Sequence, residues 1–280
     1  MKFIILLSLL AYANARIPIE NCDGIVVHNI KHEQQVLKND IKSPYQLALD
    51  YNTNTLFFSY SSSDPEKSFE SAYINLKTNE FKIITGINGG FANAVDEKQN
   101  IVYLGGRDGI YQFDYETKVA THIDGTDHNI WQLFYKKDLY YSKYPEEHVY
   151  IFKDHQSHRV PELIDTQGML VAVDNFDNIY FSNSSGLFVH KKIKNYISYV
   201  GDYNINGFTC DVNGKIFFST PDGLFYIDDS TKKVEKLTSI ETVYGVAIEA
   251  DGSIIYASED SLIRLKPTKT YCYSNEKISL

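Results

Sequence analysis

The sequence predicts an all-β fold, a six-bladed β-propeller whose ring is closed by the N-terminal strand. Three observations lead to this prediction: a six-fold repeat, turn residues at fixed places in the repeats, and a last repeat without its fourth strand. The repeated segments are Tyr45–Asp50, Phe91–Asp96, Ile130–Tyr135, Met169–Asp174, Asn206–Asp211 and Tyr244–Glu249. Their last residues lie 46, 39, 39, 37 and 38 positions apart, and a period near 40 with several short strands is typical of propellers.

Each repeat is predicted to contain four strands in succession. The repeated apolar segment is the first, and a second apolar strand such as Ile216–Ser219 follows after a turn. A third strand often follows a Ser-Gly or Asp-Gly pair, as at Gly186 and Gly223, because glycine adopts the positive φ of a tight turn. The fourth strand, such as Lys118–Ile123, is more polar, as expected for an outer strand that is half exposed to water.

The last repeat has only three strands before Pro267 and a polar tail. The segment Glu33–Lys38 resembles the fourth strands of the other repeats, so we expect it to complete the last blade and remove the exposed sheet edges. Cys22 and Cys272 flank this seam and are predicted to form a disulfide. Cys210, within an inner strand, is predicted to be a buried free thiol.

The N-terminus has the pattern of a secretory signal peptide. Lys2 precedes the apolar run Phe3–Leu10, and Ala13-Asn-Ala15 is a small-x-small cleavage site. We therefore expect residues 1–15 to be removed, residues 16–280 to form one propeller domain, and the protein to be secreted into an extracellular, oxidising compartment. The apolar run is too short to span a membrane. Asn183-Ser-Ser185 is a predicted N-glycosylation site on a turn.

The charge of the chain argues against polyanionic partners. The formal net charge is −9, and removal of the signal peptide with Lys2 leaves 26 basic and 36 acidic side chains. Nucleic acid and anionic membrane are therefore not expected as partners. Lys191, Lys192 and Lys194 form the densest basic group, which we interpret as a solvated outer strand and loop.

The mouth of the central channel, where the innermost strands start, is the predicted functional face. The residue types predicted to bind a ligand there are aromatic rings and amides, with one guanidinium: Tyr45, Gln46, Phe91, Asn93, Arg107, Trp131, Gln132, Met169, Phe208 and Tyr244. The alternative for each ring is packing between blades. Trp131 is the strongest candidate, because its place in the other repeats is occupied by smaller or non-aromatic residues such as Gln46.

No catalytic residue and no metal site are predicted. The repeated carboxylates Asp50, Asp96, Asp174, Asp211 and Glu249 end the innermost strands, so they lie on the opposite face and are expected to bond turn backbone. At the mouth only Asn93 is a suitable ligand for a hard cation, and His155 and His158 have no nearby partners for zinc. Six-bladed lactonases and esterases hold a divalent cation at the channel mouth, and this sequence offers too few ligands there. A metal-dependent lactonase or esterase is therefore the weaker, alternative function.

The segment Ile41–Asp50, which contains Lys-Ser-Pro-Tyr-Gln-Leu-Ala, and its continuation Thr55–Ser61 resemble the ommochrome-binding proteins of lepidopteran insects. The resemblance extends over nearly the whole mature chain. It implies a haemolymph carrier, without a cofactor, for ommochromes, which are tricyclic tryptophan-derived pigments such as xanthommatin. The repeats alone also suit other secreted propellers, such as the insect yellow and royal-jelly proteins, so a scaffold for another small aromatic molecule or a protein is a further alternative.

A planar pigment would suit the predicted mouth. Its rings would stack on the aromatic side chains, while Gln46, Asn93 and Gln132 bind its carbonyls and ring nitrogen. Arg107 or Lys143 is expected to pair with a carboxylate or sulfate of the pigment.

Overall fold

A computed structural model describes residues 22–64 and 67–272. The strands form six antiparallel sheets arranged as the blades of a ring, which confirms the predicted six-bladed propeller. The first strands of consecutive blades contact one another in ring order and surround the central channel. The predicted signal peptide lies outside the described residues and stays a prediction.

The strand bounds follow the predicted repeats closely. β1 (Ile25–Val27) and β2 (Ile30–Lys38) precede blade 1, which contains β3 (Tyr45–Asp50), β4 (Thr55–Ser61), β5 (Phe69–Asn75) and β6 (Phe81–Ile83). Blade 2 contains β7 (Ala92–Asp96), β8 (Ile101–Gly105), β9 (Ile110–Phe113) and β10 (Ala120–His122). Blade 3 contains β11 (Ile130–Lys136), β12 (Asp138–Lys143), β13 (Val149–Lys153) and β14 (Gln156–Arg159), followed by a short 3-10 turn at Pro161–Leu163.

The remaining blades have the same plan. Blade 4 contains β15 (Leu170–Val173), β16 (Ile179–Asn183), β17 (Gly186–Lys191) and β18 (Tyr196–Gly201). Blade 5 contains β19 (Gly207–Cys210), β20 (Ile216–Thr220), β21 (Gly223–Ile227) and β22 (Val234–Thr238). Blade 6 contains β23 (Gly245–Ile248), β24 (Ile254–Ala257) and β25 (Leu262–Tyr271).

The N-terminal strand closes the ring as predicted. β2 pairs antiparallel with β25, with Glu33 opposite Lys266 and Val36 opposite Ile263. The Cys22–Cys272 disulfide lies beside this seam and confirms the predicted pairing. Two details were not predicted: β25 continues past Pro267 instead of ending in a tail, because β2 is long enough to pair with it, and β1 adds a fifth strand to the sheet.

The core consists of side chains packed between neighbouring blades. The second strands contribute most of the large, fully buried residues, among them Phe57, Phe58, Tyr141, Phe181 and Phe218. The predicted glycine turns lead into the third strands: Gly186 has φ +121° and Gly223 has φ +148°. A Cβ atom at Gly223 would lie 2.4 Å from the carbonyl oxygen of Thr238, so no other residue fits there without rearrangement.

Four of the five repeated carboxylates bond the turns on the face opposite the channel mouth, which we call the lower face, as predicted. Asp50, Asp96, Asp174 and Asp211 each accept a hydrogen bond from the backbone N–H two residues later, at 2.8 to 3.0 Å. The prediction is wrong for Glu249, whose carboxylate pairs with the buried Arg264 at 2.5 and 2.9 Å. The four blades with aspartates carry Tyr73, Gln112, Val189 and Tyr226 at the place of Arg264, so only Glu249 has a cation opposite it on the third strand.

Candidate functional site: an aromatic cavity at the channel mouth

A cavity of about 450 Å³ lies on the face where the innermost strands begin. This volume is within the range of ordinary ligand pockets. Its walls come from the starts of the inner strands, from the β16–β17 turn and from the segment that links blades 4 and 5. The lining residues are Tyr45, Gln46, Phe69, Phe91, Trp131, Met169, Leu170, Ser182, Asn183, Ser184, Gly186, Asp202, Tyr203, Asn204, Ile205 and Asn206.

Five aromatic side chains form a continuous arc across blades 6, 1, 2 and 3, which we call the aromatic arc: Tyr244, Tyr45, Phe91, Trp131 and Tyr144. Ring centroids are separated by 5.3 Å from Tyr244 to Tyr45 and by 5.7 Å from Tyr45 to Phe91. The distance from Phe91 to Trp131 is 4.8 Å, and Tyr144 stacks on Trp131 at 5.3 Å with an interplanar angle of 29°. The middle members of the arc therefore offer a wall of ring surface to the cavity.

Backbone irregularities aim two of the lining side chains. The β11–β12 ladder shifts register between Ile130 and Gln132, so Trp131 is the extra residue of a bulge. The β3–β4 ladder shifts register between Tyr45 and Ala48, and Gln46 in that interval has φ +51°. Bulges commonly redirect a side chain next to a functional site. Here they occur where the strands meet the cavity.

The wall that faces the aromatic arc is polar. It consists of the β16–β17 turn, at Ser182–Ser184, and of the linker Asp202–Asn206. Asn206 is held in place because its side-chain amide donates to the carbonyl oxygen of Val243 at 2.6 Å. Asp202 carries the only charge among the lining residues named above.

Ser182 differs from Ser59 and Ser142 at the ends of two other second strands, whereas the buried Ser219 of blade 5 also has no hydrogen-bond partner within the described residues. Ser59 donates to the carbonyl oxygen of Phe91 at 2.5 Å, and Ser142 donates to that of Met169 at 2.6 Å, so each links its blade to the next. The Ser182 hydroxyl has no hydrogen-bond partner within the described residues, although its side chain is 5% exposed and lines the cavity. This hydroxyl is therefore available to a bound molecule.

Five of the ten predicted site residues line the cavity: Tyr45, Gln46, Phe91, Trp131 and Met169. Three others point elsewhere. Gln132 is 1% exposed and bonds both backbone groups of Val171 in the next blade, at 3.1 Å each. Asn93 donates to the carbonyl oxygen of Gln46 at 2.9 Å and, with Phe208, lines a narrow space lower in the channel.

The remaining predicted residues lie outside the cavity wall. Tyr244 ends the aromatic arc. Arg107 is exposed on the rim, where its guanidinium donates to the hydroxyl of Ser68 at 2.5 Å. Lys143, expected to offer a second cation, is buried with its ammonium 3.7 Å from the centroid of the Tyr150 ring. Burial lowers the pKa of this ammonium, and neither cation faces the cavity.

Sequence reasoning missed the wall built from residues 202–206 and the ring of Phe69, which packs 4.5 Å from Phe91 between ring centroids. The repeat itself gives no signal for them, because linkers and third strands vary between blades. Asn183, the predicted glycosylation site, is partly exposed on the β16–β17 turn at the cavity rim. Its amide donates to the carbonyl oxygen of Gln167 at 3.3 Å.

Below the cavity the channel narrows to a space of about 60 Å³. The Tyr51 hydroxyl fills part of the lower end, where it donates to the carbonyl oxygen of Ile248 at 2.6 Å. Cys210 lines the same space and is a free thiol, as predicted, but it is half-buried rather than fully buried. Desolvation raises the pKa of this thiol to about 11. Along this axis, as far as the described residues enclose it, a ligand of ordinary size therefore fits only in the mouth cavity.

Within residues 22–64 and 67–272, no three histidine, cysteine or acidic side chains come together in a way that could hold a metal ion. The same part of the chain contains no helix long and apolar enough to cross a membrane.

No family model matches the sequence. Among solved structures, a gluconolactonase from Xanthomonas campestris superposes with a TM-score of 0.71 at 12% identity, covering 89% of this chain and 96% of that one. A luciferin-regenerating enzyme superposes with a TM-score of 0.62 at 12% identity, covering 89% of this chain and all of that one. At these identities the likeness shows the fold alone.

A sequence relative is much closer. The ommochrome-binding protein of Manduca sexta is 38% identical over 273 residues, which cover 95% of this chain and 98% of that protein. Such identity over nearly the full length of both chains goes well beyond the short segments that first suggested the resemblance. The chain belongs to the ommochrome-binding protein family.

Proposed function

We propose that this protein is a secreted haemolymph carrier that binds an ommochrome pigment of the xanthommatin type in the mouth cavity. The observation that carries the proposal is the arrangement of the cavity, in which the aromatic arc faces a polar wall across a space of about 450 Å³. A flat, polar-edged ring system is the kind of ligand that such walls complement. The name of the Manduca sexta relative supports a pigment as that ligand.

The pigment rings lie against Tyr45, Phe91 and Trp131, where each ring pair contributes about 0.5 to 1.5 kcal/mol beyond the buried area. The Ser182 hydroxyl and the Gln46 amide bind the polar edge of the pigment. Asp202 would repel a carboxylate that entered the cavity, so the acidic groups of the pigment point towards solvent. This orientation replaces the pairing with Arg107 or Lys143 that the sequence suggested.

The remaining parts of the proposal concern the setting of the protein. The disulfide supports an oxidising compartment and, with the signal-peptide pattern, secretion. A glycan on Asn183 would lie at the rim of the cavity. We propose a binding protein that is not an enzyme, has no cofactor, and does not use nucleic acid or membrane as a partner.

A pair of serine variants tests the site. Ser182→Ala removes the unpartnered hydroxyl in the cavity, so xanthommatin affinity falls about three- to tenfold while thermal stability is unchanged. Ser59→Ala, the matched control, removes the bond to Phe91, so it lowers the melting temperature and leaves affinity within twofold. Equilibrium dialysis and thermal scans measure both. The site is misplaced if Ser59→Ala loses affinity and Ser182→Ala does not.

The alternative function, a metal-dependent lactonase or esterase, is tested separately. The purified protein is assayed with gluconolactone and with aryl esters in the presence of Ca²⁺, Mg²⁺, Mn²⁺ or Zn²⁺. We expect no turnover above the protein-free rate. Hydrolysis that chelation abolishes and metal restores would favour the enzyme over the carrier.

A further inference from the structure

A second concave site lies on the side of the ring, between the outer strands of blades 4 and 5. This groove has a volume of about 580 Å³ and is larger than the mouth cavity. We call it the lysine groove. It is lined by Asn178, Tyr180, Val189, Lys191, Ile193, Lys194, Ser198, Tyr199, Val200, Tyr203, Lys232, Lys233 and Val234.

The lysine groove concentrates positive charge on an acidic protein. Four of its lining residues are lysines, whereas the whole chain has a formal net charge of −9. Lys232 is neutralised in part, because Asp229 and Asp174 lie 3.4 and 3.6 Å from its ammonium. Among the described residues no carboxylate lies within 4 Å of the ammonium groups of Lys191, Lys194 and Lys233. The Lys191 ammonium lies 5.5 Å from the centroid of the Tyr196 ring, so Lys194 and Lys233 are the cations most available to an anion.

The same groove exposes apolar surface between the charges. Ile193 is 93% exposed and Tyr199 is 58% exposed, which is unusual for side chains of this size. Tyr180 and Val189 are buried and contribute to the base of the groove. A basic loop that is merely solvated, as the sequence suggested, would not explain the exposed apolar side chains of Ile193 and Tyr199. Their presence favours a ligand that carries a ring together with its negative charge.

We propose that the lysine groove is a second binding site, which takes a small aromatic anion such as an aryl sulfonate, sulfate or carboxylate. The ring of the ligand packs between Tyr199 and the base of the groove, and its acidic group lies between Lys194 and Lys233. This site is separate from the mouth cavity, and the two share only Tyr203 as a common wall. The proposal does not depend on what the mouth cavity binds.

The probe is 8-anilinonaphthalene-1-sulfonate, an aromatic anion whose fluorescence rises in apolar surroundings. Replacing Lys194 and Lys233 together with glutamate lowers its affinity by about tenfold or more. The matched control replaces Lys77 and Lys98 with glutamate, which makes the same change in net charge at turns of blades 1 and 2. This control changes the affinity less than threefold. N-phenyl-1-naphthylamine, the neutral analogue without the sulfonate, binds both double variants equally.

The outcomes distinguish binding in the lysine groove from a response to net charge and from binding in the mouth cavity. Equal weakening in the two double variants would mean that the probe senses net charge only, and the proposal would fail. It would fail equally if the Lys194 and Lys233 variant bound the probe normally while Trp131→Ala did not, because the probe would then occupy the mouth cavity. Near-ultraviolet circular dichroism confirms that every variant is folded, so that binding to a loosened core does not contribute.

Discussion

Replacing Gln132 tests whether a polar side chain at the start of an inner strand stabilises the fold or binds the ligand. The sequence placed it in the ligand site, but the structure uses its amide to join blade 3 to blade 4. Gln132→Met keeps the side-chain volume and removes both bonds to Val171, which is fully buried. Two buried backbone groups are then left without partners, at about 1 to 3 kcal/mol each, so we expect the free energy of unfolding to fall by about 2 to 6 kcal/mol.

For a domain of this size, that loss lowers the melting temperature by roughly 4 to 24 °C. Thermal scans by circular dichroism measure this, and xanthommatin affinity is measured at 20 °C, where the variant is still folded. Gln46→Met is the matched control, because Gln46 lines the cavity and its side chain has no hydrogen-bond partner within the described residues. It lowers affinity and leaves the melting temperature within about 2 °C. A Gln132→Met protein that loses affinity at an unchanged melting temperature, together with a Gln46→Met protein that melts early and binds normally, would show that the two side chains have the opposite roles.

Two further predictions concern the lower face of the ring. Because desolvation raises the pKa of the half-buried Cys210 thiol to about 11, the thiol stays protonated at pH 8 and reacts with Ellman's reagent much more slowly in native than in unfolded protein. One thiol per chain reacts after unfolding without reductant; equal rates in the native and unfolded states would contradict a protected Cys210. Glu249→Ala leaves the buried Arg264 guanidinium without its carboxylate and lowers the free energy of unfolding by about 3 kcal/mol in urea titrations. Asp211→Asn, the control, keeps an oxygen acceptor for the turn and changes the free energy of unfolding by less than about 1 kcal/mol. Equal losses in the two variants would contradict the special role of the Glu249–Arg264 pair.

The sequence was sufficient to predict the ring and its closure. The six repeats give the period directly, and the position of Glu33–Lys38 and of the two terminal cysteines leaves one economical way to close the last blade. The ring and its closure both depend on short repeated patterns and on the two ends of the chain, and these can be read from a single sequence. The same holds for the aspartates at the lower turns, whose bonds lie within a few residues of each carboxylate.

The cavity was only half predictable, for a different physical reason. Whether a polar side chain at a strand start faces the channel or the next blade depends on register and on bulges, as Gln46 and Gln132 show. The polar wall comes from the linker 202–206, which no repeat defines. Glu249 resembles its aspartate counterparts in the sequence, but among the blades that carry these carboxylates only blade 6 has an arginine, Arg264, at the facing place on its third strand.

The measurement that tests the pigment site most directly is the affinity of xanthommatin for wild type, Trp131→Phe and Trp131→Ala. Trp131 is the single tryptophan of the chain and lies in the middle of the aromatic arc. We predict that Trp131→Phe keeps a stacking ring and stays within about threefold of wild type, whereas Trp131→Ala loses about 1 to 3 kcal/mol of binding, or roughly 5- to 150-fold. Bound pigment also quenches the tryptophan emission of wild type. Equal affinities in all three proteins, with full emission at saturation, would contradict a pigment site in the mouth cavity.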